Sequence, residues 1–169
     1  MKKTIAFISL MTGLICTAYS QLNTNYGTGT VSTGFINSSF GYNAGNDLAA
    51  TAAGNSFFGA YSGALNSGGS YNSFFGSQSG RSNTSGSFNT AIGQQAFHYN
   101  TTGIYNVAVG SLALFNNTSN HNTAVGSAAL TYNTTGYSNV AVGSSALYEN
   151  VSGIFNTAVG ADAMFQNTT

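Results

Sequence analysis

The stretch Asn122-Thr-Ala-Val-Gly126-Ser-Ala-Ala-Leu130-Thr-Tyr-Asn-Thr-Thr-Gly136 decides the fold, because variants of it fill most of this 169-residue chain. Its anchor is an Asn, three small or β-prone residues and a Gly. The chain holds eight such anchors, whose glycines are 18, 17, 17, 17, 16, 17 and 17 residues apart. A period of this kind indicates a repeat architecture. The anchors begin at Asn37, Asn55, Asn72, Asn89, Asn106, Asn122, Asn139 and Asn156 and end at Gly41, Gly59, Gly76, Gly93, Gly110, Gly126, Gly143 and Gly160.

Seventeen residues are too few for a helical hairpin and suit one coil of a parallel β-solenoid. Val107 and Val109 alternate with Ala108 and Gly110, which is the period of a strand. Asn-Thr-Thr-Gly segments supply turns, because Asn and Gly both tolerate positive φ. We therefore predict an all-β chain, a parallel β-solenoid (β-roll) of about eight 17-residue coils, each with two short strands and two turns. The anchor asparagines should then form a ladder of side-chain amides.

The chain divides into four segments. Residues 1–20 have a positive start, an apolar stretch and a small-residue cleavage site, which predicts a secretory signal peptide. Residues 21–36 are a lead-in, 37–88 are looser Gly/Ser-rich coils, and 89–169 are regular coils. We expect the protein to be secreted or displayed on a bacterial surface.

Two features near the ends of the chain admit alternatives. Cys16 alone would suggest lipid attachment, but Ile15 before it is not the small residue that such processing needs. The last copy stops at Thr169, before its turn glycine. That ending favours a piece of a longer protein over coils that continue into a neighbouring molecule.

Little chemistry is available once the signal peptide is removed. No cysteine remains. The charged residues that remain are one cation, Arg81, and three carboxylates, Asp47, Glu149 and Asp162. Nucleic acid is therefore a poor partner, since phosphate binding needs many Lys and Arg, and we expect no direct membrane insertion. The three carboxylates fall at different phases of the repeat, as do the two histidines, His98 and His121. We accordingly expect no catalytic residue, no metal site and no cofactor.

Two recurrent residue sets leave alternatives open. Aromatic residues near the end of the second predicted strand favour packing over an exposed stripe for a glycan or protein partner. They are Tyr99, Phe115, Tyr132, Tyr148 and Phe165. Asn-X-Ser/Thr sequons favour turn chemistry over glycan attachment. They begin at Asn83, Asn100, Asn117, Asn133, Asn150 and Asn167.

The segment Asn106-Val-Ala-Val-Gly-Ser-Leu-Ala-Leu and its copies resemble the head repeats of YadA-like trimeric autotransporter adhesins. The longer string from Asn122 to Gly136 is also similar to repeats of secreted Bacteroidetes and phage tail-fibre-like proteins, which often end in a tail-spike chaperone domain. The resemblance covers residues 89–169 well and 37–88 weakly. It implies a left-handed roll, a homotrimer and a role in adhesion. The repeat here is longer than the usual adhesin-head coil.

We expect a non-enzymatic extracellular structural or adhesive protein, a rod-like segment of a surface adhesin or a tail-fibre-like shaft. The alternative is a self-assembling filament whose coils stack end to end. An ice-binding solenoid would need a regular threonine array, whereas the column through Thr90, Val107 and Thr123 is mixed. The expected partners are other copies of the chain, as a homotrimer or a polymer, and surface glycans or proteins.

Overall fold

The computed structural model describes residues 24–26, 36–49 and 51–168. The predicted signal peptide and most of the lead-in lie outside these residues. Nine three-residue strands form one parallel sheet in chain order. They are β1 (Thr24–Tyr26), β2 (Ser38–Phe40), β3 (Ser56–Phe58), β4 (Ser73–Phe75), β5 (Thr90–Ile92), β6 (Val107–Val109), β7 (Thr123–Val125), β8 (Val140–Val142) and β9 (Thr157–Val159).

The predicted all-β solenoid is confirmed. Each strand pairs with the next in register, so that Ala108 lies against Ala91 on one side and Ala124 on the other. Residues one repeat apart are therefore direct neighbours, as the ladder prediction requires. Strand β1 belongs to the segment interpreted as a lead-in, where Asn23-Thr-Asn-Tyr-Gly27 is a further anchor at an irregular spacing.

The prediction of a second strand in each coil is wrong. After the anchor glycine the described chain is turn, and alternate residues have positive φ, such as Leu112 at 59° and Leu114 at 51°. A strand needs negative φ at every position, so this segment cannot be one. Its backbone still bonds from coil to coil, as when the amide of Leu114 donates to the carbonyl of Ala129 at 3.0 Å.

Each strand from β2 to β9 turns its central residue inward and its two neighbours outward. In the regular coils this central residue is alanine, and in the first four of them a large apolar side chain four residues after the anchor glycine fills the lumen. Ala108 and Leu114 form one such pair, and both are fully buried.

Two of the three looser coils reverse this arrangement. Phe57 and Phe74 occupy the strand centre, and glycine stands at the lumen-filling position as Gly63 and Gly80. A Cβ on Gly80 would lie only 2.3 Å from the Phe74 ring. The Gly-rich character of these coils is therefore a packing requirement, because one large side chain fills each layer of the lumen.

Departures from the 17-residue period are absorbed in the turns. The coil from Asn106 to Asn122 has 16 residues and lacks one turn residue. There the backbone amide of Ile104 donates to the side-chain oxygen of Asn120 at 2.8 Å. Ser119 replaces the usual glycine as the acceptor for Asn106, at 2.9 Å.

Candidate functional site

The anchor asparagines line one wall of the lumen and are hydrogen-bonded on every side. The backbone amide of each donates to Oδ1 of the anchor asparagine one coil earlier, at 2.9 to 3.0 Å through all seven steps. The Nδ2 atom of an anchor asparagine donates across the lumen to the turn of the same coil. Asn89 Nδ2, for example, donates to the carbonyl of Gly103 at 2.8 Å. The predicted ladder is present, and it joins side chain to backbone more regularly than side chain to side chain.

The anchor glycines are required by the close approach of successive coils. They have φ values of 126° to 140°, which favour glycine. A Cβ on Gly93 would lie 2.5 Å from the carbonyl oxygen of Gly110 in the next coil. A side chain at this position would therefore force two coils apart.

A second asparagine ladder, which the sequence reasoning missed, runs through the turns in two segments. We call it the turn ladder; it consists of Asn66, Asn83, Asn100, Asn117, Asn133, Asn150 and Asn167. The break lies between Asn100 and Asn117, where Asn117 Nδ2 donates to the carbonyl of Ser119 at 2.8 Å instead of to Asn100. Nδ2 of Asn100 donates to Oδ1 of Asn83 at 2.7 Å, and Nδ2 of Asn150 donates to Oδ1 of Asn133 at 2.8 Å. The two ladders also touch, since Asn122 Nδ2 donates to Asn117 Oδ1 at 3.1 Å.

The turn ladder contains all six sequon asparagines. Asn83, Asn100, Asn117, Asn133 and Asn150 are fully buried, and their side-chain nitrogens already donate hydrogen bonds. Asn167 is partly exposed, but its Nδ2 donates to Asn150 at 3.0 Å. A glycan must be attached through that nitrogen, so the folded coils do not offer these asparagines for modification. Turn and ladder chemistry explains the recurring sequence.

The ionisable residues do not converge. Asp47 and Asp162 are exposed on different coils, and Glu149 is half-buried in a turn. Within residues 36–49 and 51–168 no three His, Cys, Asp or Glu side chains lie close enough to hold a metal ion. That part of the chain also contains no helix of the length and apolarity needed to cross a bilayer.

The two histidines are ring-stacking partners in different columns. His98 is 3% exposed, stacks on Phe115 at 5.3 Å and donates from Nδ1 to the carbonyl of Gln78 at 3.2 Å. Burial lowers the pKa of His98 below its usual value, and the charge of Arg81 lowers it further against the effect of the Gln78 bond. His121 is exposed and continues a stack with Tyr105 at 5.3 Å.

An apolar column runs along the outside of the sheet, because the third residue of each strand points outward. We call it the strand-face column; most of its side chains are between 37% and 71% exposed. Aromatic rings stack in its first half, with Phe58 and Phe75 4.9 Å apart at 3°. The column consists of Phe40, Phe58, Phe75, Ile92, Val109, Val125, Val142 and Val159.

A second outer column, the ring column, precedes the anchor asparagines. Tyr71, Phe88, Tyr105 and His121 stack in it at centroid distances of 4.9 to 5.3 Å, with interplanar angles of 11° to 24°. Each ring covers the face of the next, so the column shows mainly ring edges to solvent.

The five aromatic residues singled out in the sequence occupy two adjacent positions of the turn. Phe115, Tyr148 and Phe165 lie five residues after an anchor glycine, whereas Tyr99 and Tyr132 lie six after. The two sets meet edge to face, with Tyr132 5.1 Å from Tyr148 at 86°. Their contacts are packing between coils, and Tyr132 remains 45% exposed.

We compared the chain with protein-family models, with curated proteins and with solved structures. No family model, curated protein or solved structure matches this chain.

Proposed function

We propose that this chain is the rod-like segment of an extracellular structural or adhesive protein, a surface adhesin or a tail-fibre-like shaft that performs no catalysis. The observation that carries the proposal is the uninterrupted stack of coils from β2 to β9, held by two neutral asparagine ladders. Charged residues in the same positions would repel one another at every step of the stack, whereas amides bond to one another. Such a stack suits a stiff spacer.

The proposed role requires export. Immunogold labelling and fractionation of the producing cells test this requirement with an antibody raised against the purified chain. We expect label on the cell surface or in the medium, and we expect deletion of the gene to reduce attachment of the cells to a surface. Label confined to the cytoplasm would refute the extracellular role.

We further propose that copies of the chain associate through the strand-face column, in a trimer as the resemblance to adhesin heads implies. Soluble monomers rarely expose a contiguous apolar surface of more than a few hundred Å². Here exposed apolar side chains follow one another over consecutive coils, from Phe40 to Val159. Burying this column between chains would add apolar contact that a thin coil lacks.

A charge placed on the strand-face column tests this association. Val142→Lys puts an ammonium in the middle of the proposed contact, where it would be desolvated without a partner. Thr135→Lys puts the same charge on an exposed turn and serves as the matched control. We expect V142K to dissociate the assembly and T135K to leave it intact. Unchanged assembly of V142K, with coils still folded by circular dichroism, would exclude this face.

A further inference from the structure

The turn face of the last described coils carries a groove with mixed aromatic and polar walls. It is an open groove of about 580 Å³, lined by Tyr132, Thr134, Tyr148, Glu149, Val151 and Thr168. This volume lies within the range of small-molecule sites, about 300–1,000 Å³. The groove is lined by turn residues, whereas the strand-face column consists of strand residues. We call it the Tyr132 groove.

Tyr132 lines this groove with a ring that lies along the direction of coil stacking. Tyr148 stacks on Phe165 in the next coil at 4.8 Å and 13°, so the plane of the Tyr148 ring lies across the direction of coil stacking. Tyr132 is perpendicular to Tyr148, at 86°, and its plane therefore runs along the stack with a face turned sideways. The rings of the ring column, in contrast, cover one another's faces.

The polar groups of the groove are mainly hydrogen-bond acceptors. The Glu149 carboxylate can only accept, and among the described residues no ion pair involves it. The Thr134 hydroxyl donates to the carbonyl of Val151 at 3.1 Å, which leaves its oxygen free to accept. The neighbouring Tyr132 hydroxyl raises the pKa of Tyr148, with smaller contributions from burial and from the charge of Glu149.

A flat apolar face beside several acceptors matches one class of ligand. A pyranose ring offers a C–H face for an aromatic ring and a rim of hydroxyl donors for carboxylate and threonine oxygens. A uronic or sialic acid would meet the Glu149 charge with no cation among the lining residues. We infer that the Tyr132 groove binds a neutral oligosaccharide, with the sugar ring against Tyr132 and its hydroxyls on Glu149 and Thr134.

The inference deepens the proposed adhesive role and rests on it. The chain also provides an internal control, because Tyr99 meets Phe115 in the same edge-to-face arrangement at 5.0 Å and 82°. Asn116 stands there at the position that Glu149 occupies in the groove. That site has the ring without the carboxylate and should bind the ligand several times more weakly.

Saturation-transfer NMR on the full chain with cellotriose, chitotriose, maltotriose and tri-galacturonate tests the inference. We expect at least one neutral trisaccharide to bind with a dissociation constant of about 1 mM, a usual strength for a shallow site. Tyr132→Ala should weaken that binding at least tenfold, and Glu149→Gln severalfold. Tyr99→Ala should leave it unchanged. Tri-galacturonate should not bind the wild-type chain.

Three results would overturn the inference. The first is no saturation transfer to any neutral trisaccharide at a concentration about ten times the expected dissociation constant. The second is binding by Y132A as tight as binding by the wild-type chain. The third is preferential binding of tri-galacturonate. Circular dichroism of each variant checks that the coils remain folded. Failure of the groove is distinguishable from failure of the proposed function. A surface-located assembly without sugar binding would remove only the groove, whereas sugar binding by a cytoplasmic monomer would remove only the extracellular role.

Discussion

The large side chain that fills a layer of the lumen stands either at the strand centre or four residues after the anchor glycine. A double-mutant cycle at Phe74 and Gly80 tests whether it can be moved from the first position to the second. Phe74 is fully buried and stacks on Phe57 at 5.2 Å. Phe74→Ala empties one layer of the lumen, and such substitutions cost about 3–5 kcal/mol of unfolding free energy. Gly80→Leu drives a side chain into the Phe74 ring, 2.3 Å from the new Cβ. Overpacking of this kind costs about 1–3 kcal/mol.

The double variant should recover about half of these losses. With Ala at 74 and Leu at 80 the layer reproduces the arrangement of Ala108 and Leu114, where leucine already has a φ of 51°. Gly80 has a φ of 56°, so a leucine there adopts a backbone that this fold accepts, at a cost of about 1 kcal/mol. We therefore expect a favourable coupling energy of about 3 kcal/mol, at the upper end of the range for contacting residues.

Urea titrations of the four proteins, followed by circular dichroism, give the coupling energy. Phe75→Ala combined with Gly80→Leu is the matched control, because Phe75 points outward from the same strand. We expect that pair to be additive within about 0.5 kcal/mol. A coupling energy this small for Phe74 and Gly80 as well would refute the idea that one large side chain fills each layer.

Three further predictions concern single residues. Ser39 Oγ is buried without a hydrogen-bond partner among the described residues, so Ser39→Ala should stabilise the chain by about 1 kcal/mol in a urea titration; a loss of stability would contradict this. Burial lowers the pKa of His98 in the fold, so its contribution is complete above about pH 6.5 and is lost as the pH falls below that value. His98→Phe, the residue found at Phe115 in the next coil, should flatten the dependence of melting temperature on pH, and an unchanged slope would count against the assignment. Asn106→Ala leaves the Asn122 amide unpaired and removes one of the two donors to the Ser119 carbonyl, and should cost about 2 kcal/mol, whereas Asn116→Ala should cost under about 0.5 kcal/mol; equal losses would show that the anchor ladder does not stabilise the fold.

The repeat and the anchor ladder could be predicted because stacking makes each coil equivalent to the next. Any residue that bonds to its own copy must then recur at the coil period, as Asn89 and Asn106 do. The strand centre was also visible, as the alternation around Ala108. These features depend only on period and residue type, which a single sequence contains.

Features that depend on whether a residue faces the lumen or the outside of the coil were harder to predict. The asparagine of Asn-Thr-Thr-Gly fits an exposed turn as well as it fits a buried ladder, so the burial of Asn100 was missed. The prediction of a second strand failed because leucine does not favour positive φ, so nothing in the sequence indicated the positive φ at Leu112 and Leu114. The exchange between Phe74 and Gly80 was visible only as a Gly-rich, looser region.

The mass of the full chain in solution, measured by light scattering over a range of concentrations with negative-stain imaging, tests the central claim most directly. We expect a discrete rod of three chains whose mass is independent of concentration. Rods that lengthen with concentration would support end-to-end stacking of coils instead of side-by-side association. A folded single chain would contradict both the buried strand-face column and the proposed shaft.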